Sequence, residues 1–177
     1  MTPEFSRPVR IDTLGAGARN VAIEADEAER AALAKRFGLV SIGRLSAEAD
    51  LTRAGEAVAA KGRLSAEVVQ SCVGSGEPVP ATVAEEFRID FRPPPRAGSP
   101  DEEVELGESE LDVVFYEGSA VDLGEAVAET LSLALDPFPR SAAAEAALRE
   151  AGVKSEEEAR EESSPFAALK ALKDKLG

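Results

Sequence analysis

LVSIGRLSAEADLTRAGEAVAAKGRLSAEVVQSCVGSGEPVPATVAEEFRIDFR, residues 39–92, decides the fold. Leu45, Ala47, Ala49 and Leu51 alternate with Arg44, Ser46, Glu48, Asp50 and Thr52. A period of two is the mark of a strand with one face buried. After Gly55 the parity switches: Val58, Ala60, Gly62, Leu64, Ala66 and Val68 are apolar or small, and Lys61, Arg63, Ser65 and Glu67 are polar. A third run sets Val79, Ala81, Val83, Phe87, Ile89 and Phe91 against Thr82, Glu86, Arg88, Asp90 and Arg92. The stretch therefore reads as three long antiparallel strands. With Arg53-Ala54-Gly55-Glu56 as the first turn, Leu51 faces Val58, Leu45 faces Leu64 and Glu48 meets Lys61. With the second turn at Val73–Pro78, Leu64 lies opposite Phe87, Cys72 opposite Val79 and Arg63 beside Arg88. A slip of one residue would turn the apolar set into water, so the alternation is expected to specify this pairing strongly. GRLSAE occurs at 43–48 and again at 62–67, and reads as two similar strands of one hairpin in preference to a duplication.

Outward from this ribbon, Phe5–Leu14 and Asn20–Ala25 read as two further strands, split by Gly15-Ala16-Gly17. That glycine pair lacks the third glycine and the strand–turn–helix context of a dinucleotide fingerprint. Asp26–Phe37 reads as a helix, with Asp26 and Glu29 as a capping box, an apolar stripe of Ala28, Leu33 and Phe37, and Gly38 just past its end. Pro93-Pro94-Pro95 stops the third long strand, and an acidic loop follows over 93–110. Leu111–Glu117 reads as a buried strand. Asp122–Leu135 reads as a helix with Leu123, Val127, Leu131 and Leu135 on one face, ended by Pro137 and Pro139. Ser141–Gly152 reads as a short Ala-rich helix, 153–163 as an acidic linker, and 164–177 as an amphipathic helix. In that last helix Ser164-Pro165 is the start signal, Phe166, Leu169 and Leu172 form the stripe, and Lys170, Lys173 and Lys175 flank it. Such a helix can dock on a partner or fold back onto its own domain; the sequence leaves both open.

The predicted fold class is α+β: a curved or barrel-like antiparallel sheet of about five or six strands, with helices packed on one side. Residues 1–152 form the single domain. The chain has 177 residues and a formal net charge of −14. The charge is uneven: residues 101–162 hold 19 acidic and 4 basic residues, a net of −15, and the remainder is close to neutral. This makes the chain a poor non-specific nucleic-acid binder; the acidic third suits a basic protein partner or simply keeps a tail solvated, and the sequence leaves both open. A single Cys excludes a disulfide framework within the chain. The absence of an apolar N-terminal stretch and of any long apolar run gives cytoplasmic as the expected location.

Chemistry is sparse. The sequence has no His, which removes the commonest general base and the commonest nitrogen ligand for metals. The carboxylates are too many for any pair to stand out. The expectation is a protein that is not an enzyme and holds no cofactor, metal or small-molecule substrate. Arg44, Arg63, Arg88 and Arg92, on the polar face of the ribbon, are the candidate phosphate or RNA contacts, set among Glu48, Asp50, Glu67, Glu86 and Asp90. Phe166, Leu169, Lys170, Leu172 and Lys173 are the candidate partner-docking residues. Cys72 reads as a small buried residue in preference to a nucleophile.

Three motifs carry a resemblance. GRLSAEVVQSCVGSGEPVPATVAEEFRIDF, VDLGEAVAETLSLALDPFPR and SPFAALKALK, in that order, resemble the signatures of the YceD-like family, the large ribosomal RNA subunit accumulation proteins. Members resemble one another in a strand ending in Cys-x-x-Cys, a helix ending in Leu-x-Leu-x-x-x-Pro, and a Pro-Phe-x-x-Leu-x-x-Leu-Lys ending. The family-motif positions here are Cys72, Pro137, Pro139 and Arg140. Ser75 stands in place of the second Cys, and no Cys follows Pro139, so a zinc role for paired cysteines is doubtful in this chain. The resemblance implies a bacterial cytoplasmic factor in ribosome biogenesis that supports accumulation of large-subunit (23S) ribosomal RNA. Its implied partners are a ribosomal protein, an assembly factor or a pre-ribosomal particle, with ribosomal RNA itself as the alternative contact, and no membrane.

Overall fold

A computed structural model describes residues 3–94 and 113–153. Seven strands and three α-helices follow in the order β1 (Pro8–Arg10), β2 (Arg19–Glu24), α1 (Glu27–Phe37), β3 (Ser41–Ala54), β4 (Ala57–Ser71), β5 (Pro78–Arg92), β6 (Val113–Phe115), β7 (Ala120–Asp122), α2 (Leu123–Ala134) and α3 (Ala142–Glu150). A single 3₁₀ turn, Ile11–Thr13, follows β1. The strands form a five-stranded sheet ordered β2-β3-β4-β5-β6 and a separate two-stranded ribbon of β1 and β7.

The three long strands lie where the alternation put them. Leu45, Leu64 and Phe87 are all buried on one face of the sheet, in one core cluster with Leu33 of α1 and Leu123, Val127 and Leu131 of α2. The fold is α+β, with α1 and α2 packed on the apolar face. The sheet is open, ending at β2 and β6, and does not close into a barrel. It is also mixed, because β6 pairs parallel to β5 at Asp90–Arg92. A chain that leaves β5 and returns to its neighbour after a connection of some twenty residues is free to run parallel, which a tight hairpin forbids.

The register differs from the expected one by two residues in both hairpins. Leu51 faces Ala60 and Ala47 faces Leu64, so Glu48 meets Arg63 and not Lys61. Leu64 faces Glu85, Gly62 faces Phe87 and Lys61 faces Arg88, while Arg63 faces Glu86. The reason lies in the turn. Ala54 pairs with Ala57 around Gly55-Glu56, with Gly55 at φ 65°. A two-residue loop with a left-handed glycine first matches the twist of the flanking strands. A shift of two keeps every side chain on its face, so alternation cannot detect it. At the second turn the Cys72 amide donates to the carbonyl of Glu77, 2.8 Å away, and Cys72 does not face Val79.

Other boundaries moved less. Of the expected first strand only Pro8–Arg10 pairs, and it pairs with β7. The capping box of α1 is complete, and Gly38 ends the helix at φ 65°. Its buried residues are Leu33 and Ala34, while Ala28 is exposed. The expected buried strand at 111–117 is β6, a half-buried edge whose Phe115 is exposed. Asp122 caps α2 by accepting from the amides of Gly124 and Glu125, and also accepts from the Arg7 amide at 2.8 Å. Arg36 of α1 binds Glu125 of α2 at 2.8 Å and Glu4 at 2.9 Å, which ties both helices to the N-terminal segment. Most of the acidic loop, the acidic linker and the C-terminal helix, with Phe166, Leu169, Lys170, Leu172 and Lys173, lie outside the described residues.

Candidate functional site

Three places gather the candidate residues. The first is the polar face of the sheet, where Asn20, Glu48, Asp50, Lys61, Arg63, Glu86 and Arg88 surround an open depression of about 690 Å³ over Gly62. The rows across it follow from the register. One reads Glu48–Arg63–Glu86 and the next Asp50–Lys61–Arg88. Arg63 donates to Glu86 at 2.6 Å. Both side chains are largely exposed, so the pair adds little stability but neutralises the cation. Arg63 also holds the Glu86 carboxyl below its usual range. Arg44 lies 3.8 Å from Glu24, and Arg92 lies 3.6 Å from Asp90. The predicted Arg63–Arg88 neighbours are therefore replaced by Lys61–Arg88. Two cations directly opposite each other on a sheet repel. Lys61 was legible as a polar-face cation, but its place opposite Arg88 depends on the register, which alternation leaves open by multiples of two.

The second place is the end of β4. Cys72 is buried, and its Sγ accepts from the Ser141 amide at 3.3 Å, the residue that caps α3. The Ser75 hydroxyl and then the Ser141 amide pull the thiol down to about 6. Around it, Glu77 accepts from Ser75 at 3.0 Å and from Ser141 at 2.6 Å, and its own carboxyl is held below the usual range by Ser141 first and Ser75 second. The Val73 amide donates to Pro139 at 2.9 Å. Positions 72, 75, 139 and 141 thus come together in space. The donors are one thiol, two neutral hydroxyls and one carboxylate. Zinc sites are built from Cys, His and carboxylate ligands, and this set does not fit one. It works as a hydrogen-bonded clasp between the β4–β5 turn and the link into α3. Pro139 is buried in it, while Pro137 and Arg140 are exposed. Ser141 and Glu77 were not foreseen as parts of a cluster; the only local signal was Ser141 before an Ala-rich run.

The third place is a groove of about 510 Å³ between the C-terminal ends of α1 and α2 and the end of β4. Gln70, a buried polar residue, donates from Nε2 to the Asp136 carbonyl at 2.8 Å and closes one side. Among the described residues no helix is long and apolar enough to cross a membrane.

The architecture is that of an open, mixed α+β sheet whose outer face is a lattice of charges. The model of the family described as large ribosomal RNA subunit accumulation protein YceD matches residues 60–173, and the chain belongs to that family. The match runs from β4 through the clasp and α2 into the C-terminal segment. No curated protein and no solved structure matches the chain.

Proposed function

We propose that this protein is a non-enzymatic ribosome-biogenesis factor that supports accumulation of large-subunit ribosomal RNA as an adaptor for a ribosomal protein or assembly factor. The family membership carries the reading. The charge distribution supports the adaptor part: the excess of carboxylate lies in residues 101–162, and three of the four candidate arginines lie within 4 Å of a carboxylate. A basic ribosomal protein is a natural counterpart for such a surface, and Phe166, Leu169, Lys170, Leu172 and Lys173 would anchor it. The test is capture of partners by the tagged full chain from lysate at low and at high salt. Recovery of a ribosomal protein or pre-ribosomal particle at low salt, reduced at high salt, is the expected result. Recovery of neither sinks the adaptor.

Lys61 opposite Arg88 favours a second reading, direct contact with RNA phosphates. Counterion release would then make binding steeply salt-dependent, with the slope falling by about one for each cation removed. Lys61→Glu and Arg88→Glu should abolish that binding. Unchanged affinity in both variants ends this second reading.

A further inference from the structure

Exposed apolar side chains gather in one region. Val73 and Leu133 line the groove between the helix ends, and Phe138 stands between its lining residues Pro137 and Pro139. Leu133 is 83% exposed and Phe138 69%. Exposed apolar residues are ordinary when scattered and informative when they cluster. The groove lies where two helices end, α1 at Phe37 and α2 at Ala134. The negative ends of two helix dipoles meet there, and Asp136 is on the rim, so the site favours an apolar ligand that carries positive charge.

The chain carries such a ligand. Phe166, Leu169 and Leu172 recur at i, i+3 and i+6, flanked by Lys170, Lys173 and Lys175. The described chain leaves the groove at Pro139, passes through α3 and ends at Val153. Ten residues separate Val153 from Ser164. They reach at most about 35 Å when extended, and nine helical residues span about 13 Å, so the segment can return to the groove without strain.

We propose that residues 164–177 dock in cis into the groove between the C-terminal ends of α1 and α2, with Phe166, Leu169 and Leu172 against Leu39, Val73 and Leu133. This goes beyond the adaptor reading and does not rest on it. A partner that uses the same segment would have to displace it first, and its apparent affinity would fall by the fraction docked.

A spin label on the full chain tests this, placed at Lys175→Cys in a Cys72→Ala background. The expected result is broadening of the amide resonances of Leu39, Val73, Leu133 and Asp136, unchanged on dilution and lost on adding Leu133→Asp. A mixture of labelled chain with isotope-enriched unlabelled chain separates the alternatives: broadening that crosses between molecules means a second copy occupies the groove and overturns the proposal. So does the absence of broadening at the groove. A second measurement keeps Cys72. Leu169→Asp in the otherwise native chain should shift those same groove resonances, and unshifted resonances reject cis docking whatever becomes of the Cys72→Ala background.

Discussion

A methyl group built on Gly62 would sit 2.2 Å from the carbonyl oxygen of Glu48 and 2.8 Å from Cα of Ala49. Both are backbone atoms of the neighbouring strand and cannot swing aside. Gly62→Ala is therefore expected to force β3 and β4 apart, at a cost of about 1–3 kcal/mol or more, read as a lower denaturant midpoint with an unchanged slope. Gly55→Ala, strained only by its left-handed φ, should cost less, about 1 kcal/mol. Cys72 supplies a different kind of prediction. The Ser75 hydroxyl and then the Ser141 amide pull its thiol down from the ordinary 9.0 to about 6. A depressed acid stabilises the folded state fully above its unfolded pKa and loses that contribution as pH falls through the folded one. Relative to Cys72→Ala, the native chain should gain stability between about pH 6 and pH 9 and be indifferent to pH below that window. The thiolate's ultraviolet absorbance should titrate near pH 6, and Ser75→Ala should move the midpoint upward.

At the scale of elements, Asp122 joins three things: it ends β7, caps α2 and accepts from the Arg7 amide beside β1. Asp122→Ala removes the cap and orphans that amide, and should cost about 2 kcal/mol in chemical denaturation. Asp122→Asn, still a cap, should recover part of this. Glu85 marks the outer edge of β5. It faces Leu64 on the apolar side yet is exposed, and β6 covers only Asp90–Arg92 of that edge among the described residues. A charge pointing inward at an open edge deters strand addition. Glu85→Val should raise self-association, visible as a concentration-dependent sedimentation coefficient; an unchanged monomer would show that something else guards the edge.

The same elements show what can be read from residues alone. The capping box of Asp26 and Glu29, the cap of Asp122 and the three alternating strands are local patterns, and each was legible. The pairing of those strands was legible in parity and illegible in phase, because Gly55-Glu56 and Ala54-Gly55 turns bury the same side chains. The charge site followed the phase: Arg63 turned out neutralised by Glu86, and Lys61 took its place beside Arg88. Parallel β6, the β1–β7 ribbon and the clasp of Cys72, Ser75, Glu77 and Ser141 depend on contacts between distant parts of the chain, such as Asp90 with Val113, Pro8 with Asp122 and Cys72 with Ser141, that no local period encodes.

For the whole molecule, the formal charge of −14 implies self-repulsion that salt relieves. The isolated chain should therefore show a higher Tm in moderate salt than in low salt, while any complex with a basic partner should weaken over the same range. Opposite signs for fold and complex separate the two effects in one titration. Exposed pairs such as Arg63–Glu86 contribute little, which keeps that contrast from being blurred by lost surface bridges.

Pro8–Arg10 waits for Ala120–Asp122. As the polypeptide emerges from the ribosome residue by residue, the β3–β4–β5 hairpins can zip once Arg92 is out, but β1 lacks its strand partner until some thirty further residues follow. Pro8–Arg10 is thus made before β3 but paired only after β5, and a nascent chain stalled between those two points would hold it without its strand partner.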